Sequence, residues 1–553
     1  EKAVFKNGFV KNKVMEFMGP GIAGLSMDFR NGIDVMTTET TCLTTIWSTD
    51  TTVKDYLELH HRPEAYKEMK PGDLACYDGA VVVDLDKVES MIAMPFHPSH
   101  VYTIKELNEG GKDLLAEIEE QAVNMLDNKE LSLGLADKYY DGKMHCDQGL
   151  IAGCSGGLYE NLVAAAHILK GKSIGSERFA FSVYPSSHPI YMELMRNGAL
   201  ADLMDAGAVV RSAFCGPCFG AGDTPNNKGF SVRHTTRNFP NREGSKPGKG
   251  QIASVALMDA RSVAATAANH GALTPATEVD YDDSVPAYHY DSLPYDHKVF
   301  DGIGQPDKKE ELVYGPSIKP WPSIEKLNKN LLLKVAAWID DPVTTTDELI
   351  PSGETSSYRS DPYALSEFAL SRKVPEYVGR AKAVRTLEKA RQDGENCEEL
   401  NNLYSSVKNA LCLQESVDQM EKDTSVGSVV YANKPGDGSA REQAASCQRV
   451  LGGAANIALE YATKRYRSNV MNWGMLPFLT SYEDSRKLAV GDLVYVPNVR
   501  EILLSDKDEY KGFLIRDGKK TGEITLHLGS VEPSQKDILA AGCLINYYAG
   551  SKK

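Results

Sequence analysis

The sequence predicts an α/β chain, and three observations carry that expectation. Between residues 149 and 214, short apolar runs of strand character alternate with runs of helical spacing. Strand–helix–strand–helix–strand order argues for a parallel sheet with helical crossovers. The 553 residues are 42% hydrophobic and 25% charged, the proportions of an ordinary globular protein, and the length allows roughly three or four domains at ~100–200 residues each.

Residues 1 to 105 mix short strands, turns and polar helices. LSMDFRNGIDVMTTETTCLTTIW is rich in Thr, Gly and small residues, which suits a site-lining loop and helix. A charged helix is expected at about 112–130 (KDLLAEIEEQAVNMLDN). GLIAGC, from 149, reads as a short buried strand and GLYENLVAAAHILKG as a helix. FAFSVYP is a second strand, PIYMELMRNGALADLMDAG one helix ended by Gly207, and AVVRSAF a third strand leading into CGPC. Ligands of such sheets collect outside the carboxyl ends of the strands. Cys154 ends the first strand and Cys215 follows the third, so both thiols are expected at the same sheet edge. The Pro-, Tyr- and Asp-rich stretch 275–325 lacks periodicity and reads as an ordered crossing linker. Beyond it lie LLLKVAAWI, the strand–loop–helix unit VVYANKPGDGSAREQAASCQRVLGG, and short strands around GDLVYVP and EITLHLG.

Net charge is −15. A chain this acidic has no global attraction to nucleic acid or anionic membrane, although a local basic site for an acidic small molecule remains compatible with it. No run of about 18 apolar residues exists, so no membrane helix is expected. Ten cysteines in 553 residues are too sparse for a disulfide scaffold. Seven of them (Cys42, Cys76, Cys146, Cys397, Cys412, Cys447 and Cys543) read as small thiols in a reducing compartment. The chain begins EKAVFKNGFV without an initiator Met, which we read as processing or truncation.

FCGPCFGAGD, residues 214–223, admits three chemistries. A redox dithiol wants C-x-x-C at a helix start, whereas FGAGDTPNN reads as loop. A zinc site wants a second close pair, and only the HCD at 145–147 is on offer. An iron–sulfur site wants a lone third cysteine at a neighbouring strand end, which Cys154 supplies. Spacing alone leaves all three open.

GLIAGCSGGLYENL, FCGPCFGAGD, TTRNFPNREG and PGDGSAREQAA, in that order and at these distances, resemble the aconitase superfamily of iron–sulfur hydro-lyases; GPGIAGLSMDFRNGIDVMTTETTCLTTIWSTDTTVKDYL resembles its second domain. The resemblance covers nearly the whole chain. It implies aconitase-like three-layer α/β domains and a C-terminal swivelling α/β (β/β/α) domain: domain 2 at 1–108, domain 3 with the cluster cysteines at 109–280, a linker at 281–325 and the swivel domain at 326–553. It implies a [4Fe–4S] cluster on Cys154, Cys215 and Cys218, whose unligated iron would act as a Lewis acid on a substrate hydroxyl. It places polycarboxylate-binding arginines at Arg237, Arg242, Arg359 and Arg441, where a planar fork grips a carboxylate; four suit a tricarboxylate, fewer a dicarboxylate. Ser439 falls at the family's catalytic base, Glu39 at a glutamate near the open iron, and Asp347 at the aspartate of a TTDH motif. Without the resemblance, Ser439 would read as a helix N-cap and Asp347 as a turn residue.

Five positions depart from the family: Thr236, Val35 and Gly156 replace asparagines, Ala440 replaces the second serine of GSSR, and Glu348 replaces the His of TTDH. They point to a divergent hydratase. The family's first domain also carries an Asp–His pair and an Asp-Ser-His motif for protonating the leaving hydroxyl. These have no counterpart here; His97 and His100 read as structural. The acid half is therefore expected from a missing N-terminal domain or a partner chain, and the chain alone is expected to be inactive.

The expected function is dehydration and rehydration of a small-molecule hydroxy di- or tricarboxylic acid such as citrate or isocitrate, in the cytoplasm or, in a eukaryote, the mitochondrial matrix. Two rivals stand beside it. One is a non-catalytic binding or sensor protein on the same scaffold, with nucleic acid disfavoured by the charge. The other is a CxxC redox protein in which Cys154 is dispensable.

Overall fold

The computed structural model describes residues 9–126, 130–240, 242–245, 250–353 and 355–550. The chain forms two compact units, 1–310 and 311–553. Among the described residues, no helix is long and apolar enough to cross a membrane.

In the first unit, β1 (Val14–Phe17) pairs in parallel with β2 (Thr44–Trp47). Between them runs α1 (Met27–Met36), capped by Ser26, and after them α2 (Thr51–Leu59), capped by Asp50. Buried Arg30 fastens this segment, donating to both carboxylate oxygens of Asp50 at 3.0 and 2.7 Å. The main sheet has seven strands. A hairpin of β3 (Met91–Ala93) and β4 (Val101–Thr103) forms one edge. α3 (Ile104–Val123) starts behind a Thr103–Glu106 capping box and is broken at Gly111 (φ 60°, ψ −149°), so the charged helix expected at 112–130 begins where expected and ends at Val123. Residues 127–129 of that stretch lie outside the described residues. A short hairpin, β5 (Tyr139–Tyr140) and β6 (Lys143–Met144), precedes the parallel strands.

Those are β7 (Gln148–Ala152), β8 (Ala180–Tyr184), β9 (Val209–Val210), β10 (Phe230–His234) and β11 (Ser254–Met258). The order across the sheet is β4-β3-β11-β10-β7-β8-β9. Strands covered on both faces need apolar residues on both, and LIA, FSVY and SVALM supply them. The crossover α4 (Tyr159–Leu169) is buried on almost every side. It packs on α7 (Ala260–Ala268), and the alanines on both let the helices approach closely. The single helix expected at 189–207 is two, α5 (His188–Arg196) and α6 (Ala199–Asp205), because Gly198 adopts φ 87° between them. The expected third strand shrinks to Val209–Val210, and the chain leaves the sheet before Phe214. The hairpin β3–β4 joins this sheet from residues ahead of 109. The stretch 275–325 holds only single helical turns, such as Leu293–Asp296, and the division between the units falls within it.

The second unit is a mixed seven-stranded sheet. Its central strand is β12 (Asn330–Ile339), flanked in parallel by β14 (Thr424–Ala432), β16 (Gly453–Ala458) and β17 (Leu476–Leu479). On its other side, β18 (Leu493–Val496), β19 (Tyr510–Arg516) and β20 (Lys519–Leu526) run antiparallel. LLLKVAAWI is thus a doubly covered strand, with only Lys334 and Trp338 partly open. The helix α8 (Tyr377–Asp393) crosses β14. A separate parallel pair, β13 (Thr344–Thr345) with β15 (Pro435–Asp437), brings TTTDE beside PGDGS. Two helices begin near that pair, α9 (Arg441–Val450) and α10 (Lys464–Asn472).

Candidate functional site

In the first unit, the end of β7 and the loop after β9 converge. Cys154 sits in a one-turn helix, Gly153–Gly156, directly after β7. Cys215 opens the turn Gly216–Phe219, which holds Cys218. Cys154 and Cys215 are exposed and line one cavity of about 530 Å³ with Asn31, Asp34, Val35 and Phe214. Cys218 is buried, its Sγ 3.4 Å from Thr236 Oγ1. Burial and the neighbouring Cys218 push the Cys154 thiol up, against the pull of Arg237.

Arg237 joins this group to Glu39. Its Nε donates to Glu39 Oε1 at 2.9 Å, and the carboxylate is almost wholly buried. Burial alone would lower the Arg237 pKa; Glu39 and the Cys218 and Cys215 thiols outweigh that and raise it. Thus Cys154, Cys215, Cys218, Arg237 and Glu39 come together from four separate stretches. Arg242 follows nearby in sequence and is buried.

Sequence reasoning missed what lies beneath. Arg233, inside β10, is 1% exposed. It donates from Nη1 to the Pro217 carbonyl (2.7 Å), from Nε to Ser231 Oγ (2.9 Å), and from Nη2 to Gln148 Oε1 (3.1 Å) and the Asp223 carbonyl (2.9 Å). Burial lowers its pKa to about 10. The Asp223 side chain accepts from Ser182 Oγ at 3.0 Å and from the Tyr184 hydroxyl. The available signal was an arginine within the short strand FSVRH.

In the second unit, β13–β15 pairing places Thr345 opposite Asp437. Thr346 Oγ1 accepts from the Ala440 N–H at 3.3 Å. The N-cap of α9 is Ala440, not Ser439, so the plain capping reading of Ser439 does not hold. Ser439 therefore stands one residue before the cap and Arg441, buried, one after it. Asp347 lies in the first turn of the one-turn helix Thr346–Leu349 and pairs with Arg372 Nη1 at 2.6 Å. Arg359 is exposed, its Nη2 3.5 Å from the Ser352 carbonyl. It precedes the helix Pro362–Ser366, which packs on α9. His97 and His100 make local bonds: His97 Nδ1 to Ser99 Oγ at 2.8 Å, and His100 to the Pro95 carbonyl (3.0 Å) and Gln121 (2.9 Å).

Residues 2–265 match the model of the aconitase family (aconitate hydratase), and residues 382–483 match that of the aconitase C-terminal domain. The chain belongs to the aconitase superfamily. It is 28% identical over 252 residues to the 3-isopropylmalate dehydratase large subunit of Caldicellulosiruptor saccharolyticus, covering 45% of this chain and 51% of that protein. It is 29% identical over 250 residues to the 2,3-dimethylmalate dehydratase large subunit of Eubacterium barkeri, again covering 45% and 51%. The chain thus spans about half the length of the curated relatives it matches. A solved structure of 3-isopropylmalate dehydratase (leuD) from Methanocaldococcus jannaschii aligns with a TM-score of 0.24 at 20% identity, over 41% of this chain and 96% of that one.

The positions that depart from the aconitase pattern have physical addresses here. At Gly156 a Cβ would overlap the carbonyl oxygen of His234. Thr236 keeps a hydroxyl against Cys218. Val35 turns part of the cavity wall apolar. Ala440 is a cap whose N–H, not its side chain, is used. Glu348 closes a capping box with Thr345 and pairs with Lys373 at 3.1 Å, a structural task.

The donor set fits an iron–sulfur group: three thiols from two loops, an arginine beside them, and a buried Ser155 hydroxyl next to Cys154 with no partner among the described residues. Among the described residues, no three His, Cys, Asp or Glu side chains are grouped to hold one metal ion. A multi-iron cluster does not ask for that, since each thiolate ligates its own iron.

Proposed function

We propose that this chain carries the hydratase half-site of an aconitase-type hydro-lyase acting on a hydroxy di- or tricarboxylic acid. Three thiols gathered around the Arg237–Glu39 pair support the reading most directly. In it, Cys154, Cys215 and Cys218 hold a [4Fe–4S] cluster, which supplies a Lewis acid when bound.

The chain's own residues do the rest. Arg237 and Arg242 grip carboxylate oxygens through bidentate donation. Glu39, fixed by Arg237, accepts a hydrogen bond from the hydroxyl or water that departs. Ser439, beside the start of α9, takes the proton from carbon, with backbone N–H groups and Arg441 favouring the negative oxygen. Arg359 completes the acid's recognition, and Asp347 holds its loop through Arg372. The acid that protonates the leaving hydroxyl comes from a further domain or a partner chain. The relatives' names favour a malate bearing alkyl groups, and the apolar Val35 and Phe214 in the cavity wall suit one; citrate and isocitrate remain in the same chemical class.

The test is iron and acid-labile sulfide on protein purified without oxygen, beside a Cys154→Ser variant. About four irons per chain, lost in the variant, are expected. Iron that is absent after anaerobic reconstitution, or unchanged in Cys154→Ser, overturns the reading; the former result favours a CxxC redox site.

A further inference from the structure

Arg233 has no place in the proposed chemistry, yet its setting is costly. A guanidinium that is 1% exposed has lost nearly all its water. Every hydrogen-bond partner the structure gives it is neutral: two backbone carbonyls, an amide oxygen and a hydroxyl. Among the described residues, no carboxylate makes a direct contact with it. The Asp223 and Glu243 carboxylates and the Cys218 thiol act on it through space. Surface loops do not need such a group, and hydrogen bonds alone could be made by neutral side chains.

Its bonds follow a pattern. Pro217 lies between Cys215 and Cys218, so the 2.7 Å bond to its carbonyl fixes the turn that carries both thiols. Gln148 opens β7, the strand that ends at Cys154. Its Nε2 also donates to the Asp223 carbonyl at 3.1 Å, and its Oε1 accepts from Ser231 Oγ at 2.7 Å. One cation therefore ties together the supports of all three cysteines and leaves its positive charge under the turn.

The geometry points to Arg233 as a positioning residue that raises the reduction potential of the iron–sulfur group held by Cys154, Cys215 and Cys218. This rests on the reading given under Proposed function. Reduction adds an electron, and a fixed cation in a poorly screened setting favours the more negative state.

The experiment is a redox titration, followed by electron paramagnetic resonance, of the full chain reconstituted with ferrous iron and sulfide without oxygen. It compares wild type with Arg233→Met, Arg233→Lys and Asp223→Asn. Arg233→Met is expected to lower the potential by at least ten-fold in the one-electron equilibrium, about 59 mV. Asp223→Asn removes a negative charge and is expected to raise it. Arg233→Lys keeps the charge and is expected to stay within about threefold of wild type. Loss of packing could not move Arg233→Met and Asp223→Asn in opposite directions.

Iron-loaded Arg233→Met at the wild-type potential overturns the assignment and leaves the cluster reading intact. If Arg233→Met holds no iron, a raised potential in Asp223→Asn with Arg233→Lys unmoved supports it, and an unchanged Asp223→Asn overturns it. Wild type without iron overturns the cluster reading and this assignment together.

Discussion

The Cys215–Cys218 turn of the first unit and the Pro435–Ala440 loop of the second are each positioned to one conformation, by different means. The first is held by charge: Arg233 donates to the Pro217 carbonyl from beneath, and Asp223 and buried Glu243 surround it. The second is held by shape. Gly436 adopts φ 100°, and a Cβ there would overlap the ring of Tyr466. Tyr466 is itself fully buried and receives bonds from Gln448 (3.1 Å) and Asn456 (3.2 Å). Electrostatic support suits a loop whose side chains bind a charged group. Steric support suits a loop whose task is to aim one hydroxyl and one arginine. The first should therefore answer to pH and charge substitutions, the second to added volume.

The largest expected effect is on the shape-held loop. Gly436→Ala adds a methyl group where none fits and at a left-handed φ, and should destabilise the second unit by about 3 kcal/mol. Chemical denaturation followed by hydrogen exchange should show the loss in 311–553 and not in 1–310. A cost near zero would mean that Tyr466 yields and the loop is not held by shape.

Next comes the Arg237–Glu39 pair. Glu39→Ala leaves the Arg237 guanidinium largely buried without its carboxylate. A loss of about 2 kcal/mol is expected, below the 3–5 kcal/mol range of fully buried pairs because Arg237 is 22% exposed. Thermal unfolding measures it, and Glu39→Gln should recover part of the loss.

A smaller effect, about 1 kcal/mol, is expected for Thr346→Val. It removes the hydroxyl that accepts from the Ala440 N–H. Denaturant titration of the second unit reads it directly.

The smallest effect has the opposite sign. Burial raises the Glu243 carboxyl pKa above its ordinary value, more than the Ser245 hydroxyl and Arg233 lower it. The folded chain therefore binds that proton more tightly than the unfolded one. Stability falls as pH rises from the unfolded value, about 4.3, through the higher folded value. Glu243→Gln should match wild type below that window and exceed it at pH 7. Equal stability at both ends of the pH range would remove Glu243 from the charge-held side of the comparison.

Much of this was legible before any coordinates. β7, α4 and β8 follow from apolar runs whose length and period belong to one element each, because both kinds of face must be buried. The loop character after Cys218 follows from FGAGD. The helix at 189–207 was misjudged as one piece, because a glycine in a helical pattern costs little on paper, whereas Gly198 takes a positive φ and turns the chain. AVVRSAF was overextended, since β-propensity cannot say where a strand loses its neighbour. Without the family resemblance Ser439 reads as a cap because Ser is a usual cap residue; Ala440 takes that position, its N–H satisfied by Thr346 from the one-turn helix after β13.

The sequence by itself determined the alternation of elements, the acidic balance, the lone cysteine at a strand end with the CxxC turn, and the motifs that carry the family resemblance. These are local properties: side-chain polarity, backbone preference and spacing along one chain. The tertiary structure decided which residues share a site. Glu39 meets Arg237 across 198 positions, Thr346 meets Ala440 across 94, and Gly156 is required by a carbonyl on β10. Arg233 shows the reason most plainly. An arginine in a strand is a surface residue by composition, and only the packing of β7, β10 and the CGPC turn around it makes it a buried charge.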